Sequence, residues 1–340
     1  MKIIVTGGAG FIGSCFVRMM IGSEQDSIVT LDKLTYAGNL DNLSAIAGNE
    51  RHQFVRGDIC DRELVNRLFE RERPEAIVHF AAESHVDRSI LAPDAVFETN
   101  LRGTFTLLEA ARRHGIRRFV HVSTDEVYGS LEDPIEAVED FPLRPSSPYS
   151  AAKAGSDLLA LSYVTTYGLP VLVTRASNNY GPYQFPEKMI PLMIANALRD
   201  APLPVYGDGQ QVRDWLHVED HCRAILSVLR RGRDGEIYNI GGNASLTNME
   251  VVRQILAATR KPESLIQHVT DRPGHDRRYA LSSAKLTRET GWSARMDFKT
   301  GLAQTVQWYQ DNPEWLRRVT SGEYRKFYAE NYNSREVLVK

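Results

Sequence analysis

Tyr149 and Lys153 stand four residues apart in the segment SSPYSAAKAG. The preceding Ser147 and Pro148 are typical of the first turn of a helix, and residues at i and i+4 share one helical face. The lysine ammonium can therefore stabilise a tyrosinate and lower the pKa of the tyrosine towards working pH. We expect Tyr149 to accept a hydroxyl proton, although an ordinary exposed helical pair would have the same spacing.

A second acid–base device lies upstream, where Thr124, Asp125 and Glu126 follow each other in HVSTDEVYG. They end a predicted strand, so they lie at the carboxyl edge of a sheet, where open α/β folds bind ligands. Two neighbouring carboxyls repel each other, which raises the pKa of one and keeps it protonated. The pair then provides an acid and a base, although two solvated loop carboxylates would show the same pattern. The candidate catalytic residues are therefore Thr124, Asp125, Glu126, Tyr149 and Lys153.

A glycine-rich turn near the start of the chain indicates a dinucleotide site. Gly7, Gly10 and Gly13 lie in TGGAGFIG between a predicted strand and a predicted helix, where a tight turn lets the backbone approach a pyrophosphate. The helix N-terminus adds free N–H groups and a positive dipole end. Asp32, at the end of the next strand, can bind both ribose hydroxyls and repels a 2′-phosphate, which favours NAD over NADP. Asp58 follows the third strand and can reach the adenine edge, although an ordinary loop residue would stand at the same place.

Buried strands alternate with amphipathic helices through the first half of the chain. The strand-like runs are KIIVT, SIVTL, HQFVRG, AIVHFA, RFVHVS and PVLVTR, and the helical patterns span 11–21, 63–70, 95–114 and 149–167. This alternation predicts an α/β fold with a Rossmann-type, doubly wound parallel sheet and helices on both faces.

After Arg175 the pattern changes. Segment 178–212 is rich in Pro, Gly, Asn and Tyr, which indicates loops with one helix near 189–199. A strand-like run at 237–242 follows, with helices near 247–260 and 300–311. We expect an NAD-binding domain over 1–177, completed by parts of 213–242. A smaller, discontinuous, mixed α/β domain over 178–335 should bind the substrate.

Composition and charge exclude several other classes. The chain has 340 residues, of which 42% are hydrophobic and 25% charged, as is typical of a soluble globular protein. The net charge of −2 gives no reason to expect nucleic acid or an anionic membrane, and no apolar run approaches a membrane span. Cys15, Cys60 and Cys222 have neither zinc-ligand spacing nor the pattern of a secreted disulfide framework. We expect a cytoplasmic protein without a metal site.

Longer motifs connect these features. AAESHVDRSI, STDEVYG, PYSAAKA, SNNYGPYQFPEKMIP, GDGQQVRDWLHVEDHCRA and TDRPGHDRRYA resemble the extended short-chain dehydrogenase/reductase family, and within it the nucleotide-sugar 4,6-dehydratases, over essentially the whole chain. The resemblance implies dTDP-glucose as substrate and a tightly bound NAD that is regenerated in each turnover. It also implies a homodimer that pairs the helices predicted at 95–114 and 149–167.

The resemblance assigns a role to each candidate catalytic residue. Tyr149, with Thr124 steering the hydroxyl, takes the C4 hydroxyl proton while NAD oxidises C4. Glu126 then removes the acidified C5 proton, and Asp125 protonates the C6 hydroxyl as it leaves as water. Returning hydride to C6 and a proton to C5 gives the 4-keto-6-deoxy sugar.

The resemblance also implies two sets of binding residues. Arg213 and Arg272 suit the diphosphate because arginine makes charge-assisted, bidentate bonds, although without the resemblance both would be taken as surface ion-pair partners. The run Leu203-Pro204-Val205-Tyr206 resembles a wall of the base pocket. The cofactor set is Gly7, Gly10, Phe11, Ile12, Gly13, Asp32, Lys33, Leu34, Thr35, Asp58, Ile59, Phe80, Ala81, Ala82, Ser84, Thr99, Tyr149, Lys153 and Asn179. The substrate set is Ser84, Thr124, Asn178, Glu187, Lys188, Leu203, Pro204, Val205, Tyr206, Arg213, Asn248, Arg272 and His275.

Three other functions remain open at this point. One is a 4,6-dehydratase for another nucleotide sugar, because a methyl pocket for thymine is not visible in residue spacing. A nucleotide-sugar 4-epimerase or decarboxylase could use the same scaffold, but Asp125 and Glu126 favour a dehydratase because simple epimerisation at C4 needs no acid at C6. A non-catalytic NAD-sensing module would typically have lost Tyr149 or Lys153, and both are present.

Overall fold

A seven-stranded parallel sheet is the framework of the molecule in this computed structural model, which describes residues 1–321 and 335–338. Seven strands form it in the spatial order β3-β2-β1-β4-β5-β6-β10. Successive strands are added on one side of β1 up to β3 and on its other side from β4 onwards. The strands are β1 Lys2–Thr6, β2 Ser27–Asp32, β3 His52–Arg56, β4 Ala76–His79, β5 Arg118–Thr124, β6 Val171–Ala176, β7 Asn178–Tyr180, β8 Leu203–Tyr206, β9 Val212–His217, β10 Ile237–Ile240, β11 Ser245–Thr247 and β12 Ile266–Val269.

Helices cover both faces of this sheet. They are α1 Phe11–Ser23, α2 Arg62–Glu72, α3 Val86–Leu91, α4 Pro93–Phe97, α5 Thr104–Arg113, α6 Pro148–Tyr167, α7 Met189–Ala197, α8 Val218–Arg231, α9 Asn248–Thr259, α10 Ala284–Thr290, α11 Phe298–Asp311 and α12 Pro313–Val319. The core of one face includes side chains of α1 and α8, and that of the other face includes side chains of α2, α5 and α6. Because helices shield both faces, the central strands are nearly continuous apolar runs. The predicted Rossmann-type α/β class is confirmed.

The helix predicted over 95–114 is confirmed, since the backbone is helical from Pro93 to Arg113, but it contains a π-helical turn that was not predicted. It consists of α4, a π-helical turn over Glu98–Gly103, and α5. The side chain of Asn100 accepts a hydrogen bond from Glu83 N at 2.9 Å and donates one to Glu83 O at 3.0 Å. The turn thus ties this segment to the loop after β4, and π turns of this kind are frequent at functional sites.

The second half of the chain contributes to two bodies of structure. β10 and α8 join the large sheet and its core, whereas β7, β9 and β11 form a separate mixed sheet and β8 pairs with β12. A second core includes side chains of α7, α9 and α11. The predicted substrate range 178–335 includes residues 322–334, which lie outside the described residues.

The described residues near the C-terminus pair with β12. Residues 335–338 run beside this strand, where Thr270 N donates to Glu336 O at 3.0 Å and Leu338 N donates to His268 O at 2.9 Å. Within residues 1–321 and 335–338, no helix has the length and apolar character needed to cross a membrane.

Candidate active site

The glycine turn after β1 requires glycine at two positions. Gly7 has a φ of +69°, and a Cβ there would lie 2.6 Å from Ala81 N. A Cβ on Gly13 would overlap the carbonyl oxygen of Gly7. These contacts let α1 begin close against the edge of the sheet, and no side chain caps its first turn. The N-terminal N–H groups of α1 are therefore available to an anionic ligand.

Asp32 is fixed at the end of β2 by its own backbone neighbours. Its Oδ2 accepts from Ala9 N at 2.9 Å and its Oδ1 from Leu34 N at 2.8 Å. Burial raises the pKa of this carboxyl above its usual value despite the two bonds. Nearby, Lys33 Nζ forms an ion pair of 2.6 Å with Asp58 Oδ2.

A first cavity extends along the carboxyl edge of the sheet from the glycine turn to the candidate catalytic residues. Of the predicted cofactor residues only Leu34 does not line it; its backbone takes a φ of +58° and binds Asp32. The others that line it are Gly7, Gly10, Phe11, Ile12, Gly13, Asp32, Lys33, Thr35, Asp58, Ile59, Phe80, Ala81, Ala82, Ser84, Thr99, Tyr149, Lys153 and Asn179.

Tyr149 and Lys153 lie in the first turns of α6. Ser147 is the N-cap, and it accepts from Ser150 N at 3.1 Å in a capping box. Both candidate side chains are buried, with 8% of Tyr149 and 3% of Lys153 exposed. Lys153 Nζ donates to Val122 O at 2.7 Å.

The expected lowering of the tyrosine pKa is wrong, because the pKa of Tyr149 is raised. Burial raises the pKa of Tyr149 above its ordinary value, and the charges of Glu126 and Asp125 raise it further, while a hydrogen bond with Thr124 opposes them. Burial also lowers the pKa of Lys153 to about 8. Tyr149 therefore needs additional positive charge in the site before it can act as a base near neutral pH.

Asp125 and Glu126 occupy a single 3₁₀ turn directly after β5, over Asp125–Tyr128. Thr124 Oγ1 donates to Asp125 Oδ1 at 3.3 Å and accepts from Glu126 N at 3.3 Å. Burial raises the pKa of Asp125 well above its usual value, with a further contribution from the charge of Glu126. Asp125 Oδ2 has no hydrogen-bond partner among the described residues. This is the protonated, available state that an acid catalyst requires.

A second cavity opens between the large sheet and the structure formed by the second half of the chain. Glu126 lines both cavities, as do several binding candidates. Ser84 and Thr124 line the first cavity alone, whereas Leu203 is fully buried in the second core. The predicted substrate residues that line the second cavity are Asn178, Glu187, Lys188, Pro204, Val205, Tyr206, Arg213, Asn248, Arg272 and His275.

The two predicted diphosphate-binding arginines are held differently. Arg213 Nη2 donates to Asp276 O at 2.8 Å, and its guanidinium lies 4.3 Å from the ring centre of Tyr279. Burial lowers the pKa of Arg213. Arg272 Nη1 is paired with Asp87 Oδ1 at 3.0 Å, while its buried Nε has no partner among the described residues. Together they make the second cavity attractive to an anion.

Glu187 joins the two cavities. It is 4% exposed, and burial raises the pKa of its carboxyl to about 7. Arg88 Nε contacts Glu187 Oε2 at 3.3 Å, and Tyr36 Oη donates to Oε1 at 3.2 Å. The adjacent Lys188 Nζ donates to Ser84 O at 2.5 Å. A polar bridge thus connects the loop after β2 with the middle of the site.

Several lining residues were absent from the predicted sets. Trp215 lines both cavities, and its Nε1 has no partner among the described residues. Asp87 and Tyr279 line the second cavity, and His221 the first. Asp87, Trp215 and His221 each stand inside a motif that supported the family resemblance. Membership in those motifs was the sequence signal that could have identified them as site residues.

Comparison with known proteins gives a consistent result. The profile of the family described as GDP-mannose 4,6 dehydratase matches residues 4–305. A dTDP-glucose 4,6-dehydratase from Shigella flexneri is 50% identical over 361 aligned positions, which cover 99% of this chain and 100% of the relative. One from Neisseria meningitidis serogroup B is 54% identical over 345 positions, which cover 95% of this chain and 97% of the relative.

Solved structures agree with these relatives. The dTDP-glucose 4,6-dehydratase of Streptomyces venezuelae, with NAD and TYD bound, has a TM-score of 0.92 and 51% identity, covering 94% of this chain and 100% of that one. The enzyme from Bacillus anthracis, in complex with NAD, has a TM-score of 0.88 and 50% identity, covering 94% and 99%. A UDP-glucose 4-epimerase from Thermus thermophilus has a TM-score of 0.85 at 34% identity, covering 92% and 100%.

Proposed function

The chain belongs to the dTDP-glucose 4,6-dehydratases of the NAD-dependent epimerase/dehydratase family, and we propose how its own residues perform the reaction of those hydro-lyases. The substrate is dTDP-glucose and the products are dTDP-4-keto-6-deoxy-D-glucose and water, a step of deoxysugar biosynthesis. The observation that carries the proposal is the buried Asp125, which lines the first cavity within reach of Tyr149 and stands next to Glu126, a residue that lines both cavities.

The first cavity fits NAD. Close contacts at Gly7 and Gly13 exclude side chains where a pyrophosphate must approach, α1 offers its N-terminal N–H groups, and Asp32 stands where a ribose would lie. NAD, when bound, supplies a reversible hydride acceptor and, in its oxidised form, a positive charge on the nicotinamide ring. Because the acceptor is restored at the end of each cycle, the cofactor can stay bound.

Tyr149 starts the reaction by taking the proton of the C4 hydroxyl. Thr124, whose side chain lowers the pKa of Tyr149, orients that hydroxyl. Lys153 holds a positive charge behind the phenol while its Nζ is fixed by the Val122 carbonyl. Positive charge is necessary here because burial and the neighbouring carboxyls otherwise keep the phenol protonated.

Glu126 and Asp125 then remove water from C5 and C6. The ketone at C4 acidifies the C5 proton, which Glu126 accepts. Asp125, held protonated by burial, donates its proton to the C6 hydroxyl, so the C–O bond breaks and water leaves. Glu126 returns its proton to C5 at the end of the cycle, when C6 would receive the hydride that was taken from C4. Each proton-transfer group contributes roughly 10²–10⁴ in rate.

The second cavity suits the dTDP portion. The cations Arg213 and Arg272 suit the diphosphate, and Pro204, Val205 and Tyr206 offer an apolar and aromatic wall to the base. We assign the cofactor domain to 1–177 with parts of 213–242, since β10 joins the large sheet. The substrate domain is assigned to 178–335.

We also propose a cytoplasmic homodimer. α3, α4 and α5 all pack against α6, and these helices expose large apolar side chains. Leu91, Phe97, Leu158 and Tyr167 are 66%, 47%, 59% and 54% exposed. A second copy of the chain would cover such a surface. Free cysteines at all three positions fit a reducing compartment.

The direct test is incubation of the purified protein with dTDP-glucose, followed by addition of alkali. A 4-keto-6-deoxy product gives an alkaline absorbance band, and one water should be lost per substrate by mass spectrometry. Tight binding of dTDP-glucose without that band would refute the dehydratase. Conversion to the C4 epimer without loss of water would show that the chain acts as an epimerase.

A further inference from the structure

Asp87 is a buried carboxylate of the second cavity on which three side chains converge. Its side chain is 6% exposed and lies in the first turn of α3. Tyr206 Oη donates to Asp87 Oδ2 at 2.8 Å, and Arg272 Nη1 donates to Oδ1 at 3.0 Å. Arg335 Nη2 lies 3.9 Å from Oδ2, with its guanidinium 4.4 Å from the ring centre of Tyr206.

The partners come from parts of the chain that are far apart. Tyr206 ends β8, Arg272 follows β12, and Arg335 lies beside β12 near the C-terminus. Burial raises the pKa of Asp87, but Arg272, His85 and the hydrogen bonds outweigh it and hold the pKa below its usual value. The carboxylate is therefore charged at neutral pH. A buried ion pair contributes little net stability. This one therefore serves to orient its side chains and not to stabilise the fold.

We propose that Asp87 is a positioning residue for the nucleotide, fixing the aromatic wall formed by Tyr206 and the orientation of Arg272. With Nη1 committed to Asp87, the unpartnered Nε of Arg272 is left for an anionic ligand. Ser84, which lines the first cavity, lies three residues before Asp87. The same short segment therefore links the nucleotide wall to the catalytic edge. This inference rests on the proposed placement of dTDP in the second cavity.

The test measures dTDP binding by calorimetry and dTDP-glucose turnover in Asp87→Asn and Asp87→Ala. Loss of hydrogen bonds to a charged group should raise the Kd for dTDP and the KM for dTDP-glucose by about 10- to 100-fold in the alanine variant. The asparagine variant, which keeps an acceptor for Tyr206, should be intermediate. The kcat should change less than about threefold in both, since the ligand is held less tightly but reacts in the same place.

Asp26→Asn is the matched control. Asp26 is equally buried, at 5% side-chain exposure, and pairs with Arg230 and the Met1 amine at the opposite, amino edge of the sheet. This variant should lower the Tm and leave both Kd and KM unchanged. A Kd that rises equally in Asp26→Asn would show that Asp87 acts only through general stability, which would overturn the proposal.

Two further variants distinguish failure of the positioning role of Asp87 from failure of the proposed dTDP placement. Tyr206→Phe removes one partner of Asp87, so its effect on the Kd should be non-additive with that of Asp87→Ala. A cooperatively folding Asp87 variant with wild-type Kd and KM would overturn the positioning role. An unchanged Kd in Arg272→Ala would instead overturn the placement of dTDP in the second cavity.

Discussion

Asp125 loses its contact with water on folding, and this affects both chemistry and stability. Burial and Glu126 raise the pKa of Asp125 in the folded chain. The carboxyl therefore favours folding only at pH values where it is protonated in both the folded and the unfolded chain. That contribution is lost as pH rises above the ordinary aspartate pKa of about 3.9. The wild-type protein is therefore destabilised at neutral pH by the residue that we propose as its acid catalyst.

Asp125→Asn should accordingly raise the Tm at neutral pH, with the difference shrinking as pH falls below about 4. The same variant should lower kcat by roughly 10²–10⁴, because an amide cannot protonate the leaving hydroxyl. Thermal unfolding across pH and steady-state turnover measure the two effects. Asp140→Asn, on an exposed side chain, should change neither, and a lower Tm in Asp125→Asn would contradict the argument.

Glu126→Gln should separate oxidation from elimination. The amide cannot accept the C5 proton, whereas Tyr149 can still accept the proton of the C4 hydroxyl. The absorbance of enzyme-bound reduced nicotinamide should therefore persist after mixing with dTDP-glucose, and overall turnover should fall by roughly 10²–10⁴. Glu132→Gln changes an exposed loop residue and serves as control. Wild-type turnover in Glu126→Gln would remove Glu126 from the mechanism.

The lowered pKa of Lys153 predicts that activity is lost at alkaline pH. Burial lowers its pKa to about 8, so its positive charge is present below that pH and lost above it. The kcat/KM should fall as pH rises through about 8. In Lys153→Arg the residual activity should lack this fall, because a guanidinium stays charged. The same alkaline fall in the arginine variant would show that another group causes it.

The sequence predicted which of these residues line the first cavity and that one carboxyl of the Asp125–Glu126 pair has a raised pKa, but it did not predict the pKa of Tyr149. Tyr149, Lys153 and the Asp125–Glu126 pair stand in short motifs, so local spacing was sufficient to select them. The direction of the pKa shift of Tyr149 was not predictable, because it depends on burial and on carboxylates contributed by a different strand end. Asp87 was missed since its partners Tyr206 and Arg272 are more than a hundred residues away along the chain.

At the scale of elements, the sequence predicted the helix over 95–114 but not the π turn inside it. Apolar periodicity indicates a helix over this range, whereas the π turn is accompanied by the pairing of Asn100 with Glu83, a contact with a separate loop that local pattern does not show. Gly103, at the end of that turn, is also packed so tightly that a Cβ would lie 2.4 Å from Ile59 Cδ1. By contrast, the start of α6 was predictable because Pro148 and its serine cap are local signals.

The exposed apolar surface over α3 to α6 gives a prediction about assembly. Leu158→Glu places a charge on α6 where the side chain is 59% exposed, so the proposed homodimer should dissociate while the monomer stays folded. Sedimentation at micromolar concentration should show a dimer for the wild type and a monomer for the variant. Val138→Glu, at a 46% exposed position outside these helices, should remain dimeric. A monomeric wild type would contradict the proposal.

At the scale of the whole molecule, the proposed reaction uses two cavities that meet at a few shared side chains. Glu126, Asn178, Glu187 and Lys188 line both. In the proposed arrangement, a sugar carried by a nucleotide in the second cavity would be held against the catalytic edge of the first. Binding energy from the nucleotide can then be used to orient a sugar that would bind weakly by itself.

A nucleotide series tests this arrangement. Thymine and uracil differ by one methyl group, which an apolar wall such as Pro204 and Val205 distinguishes by about 1–3 kcal/mol. The kcat/KM for dTDP-glucose should therefore exceed that for UDP-glucose by roughly 10- to 200-fold. CDP-glucose and the larger GDP-glucose should react more slowly still, and glucose 1-phosphate should give no alkaline absorbance. Equal kcat/KM values across the four nucleotides would show that the second cavity does not select the base, and turnover of glucose 1-phosphate would show that it does not position the sugar.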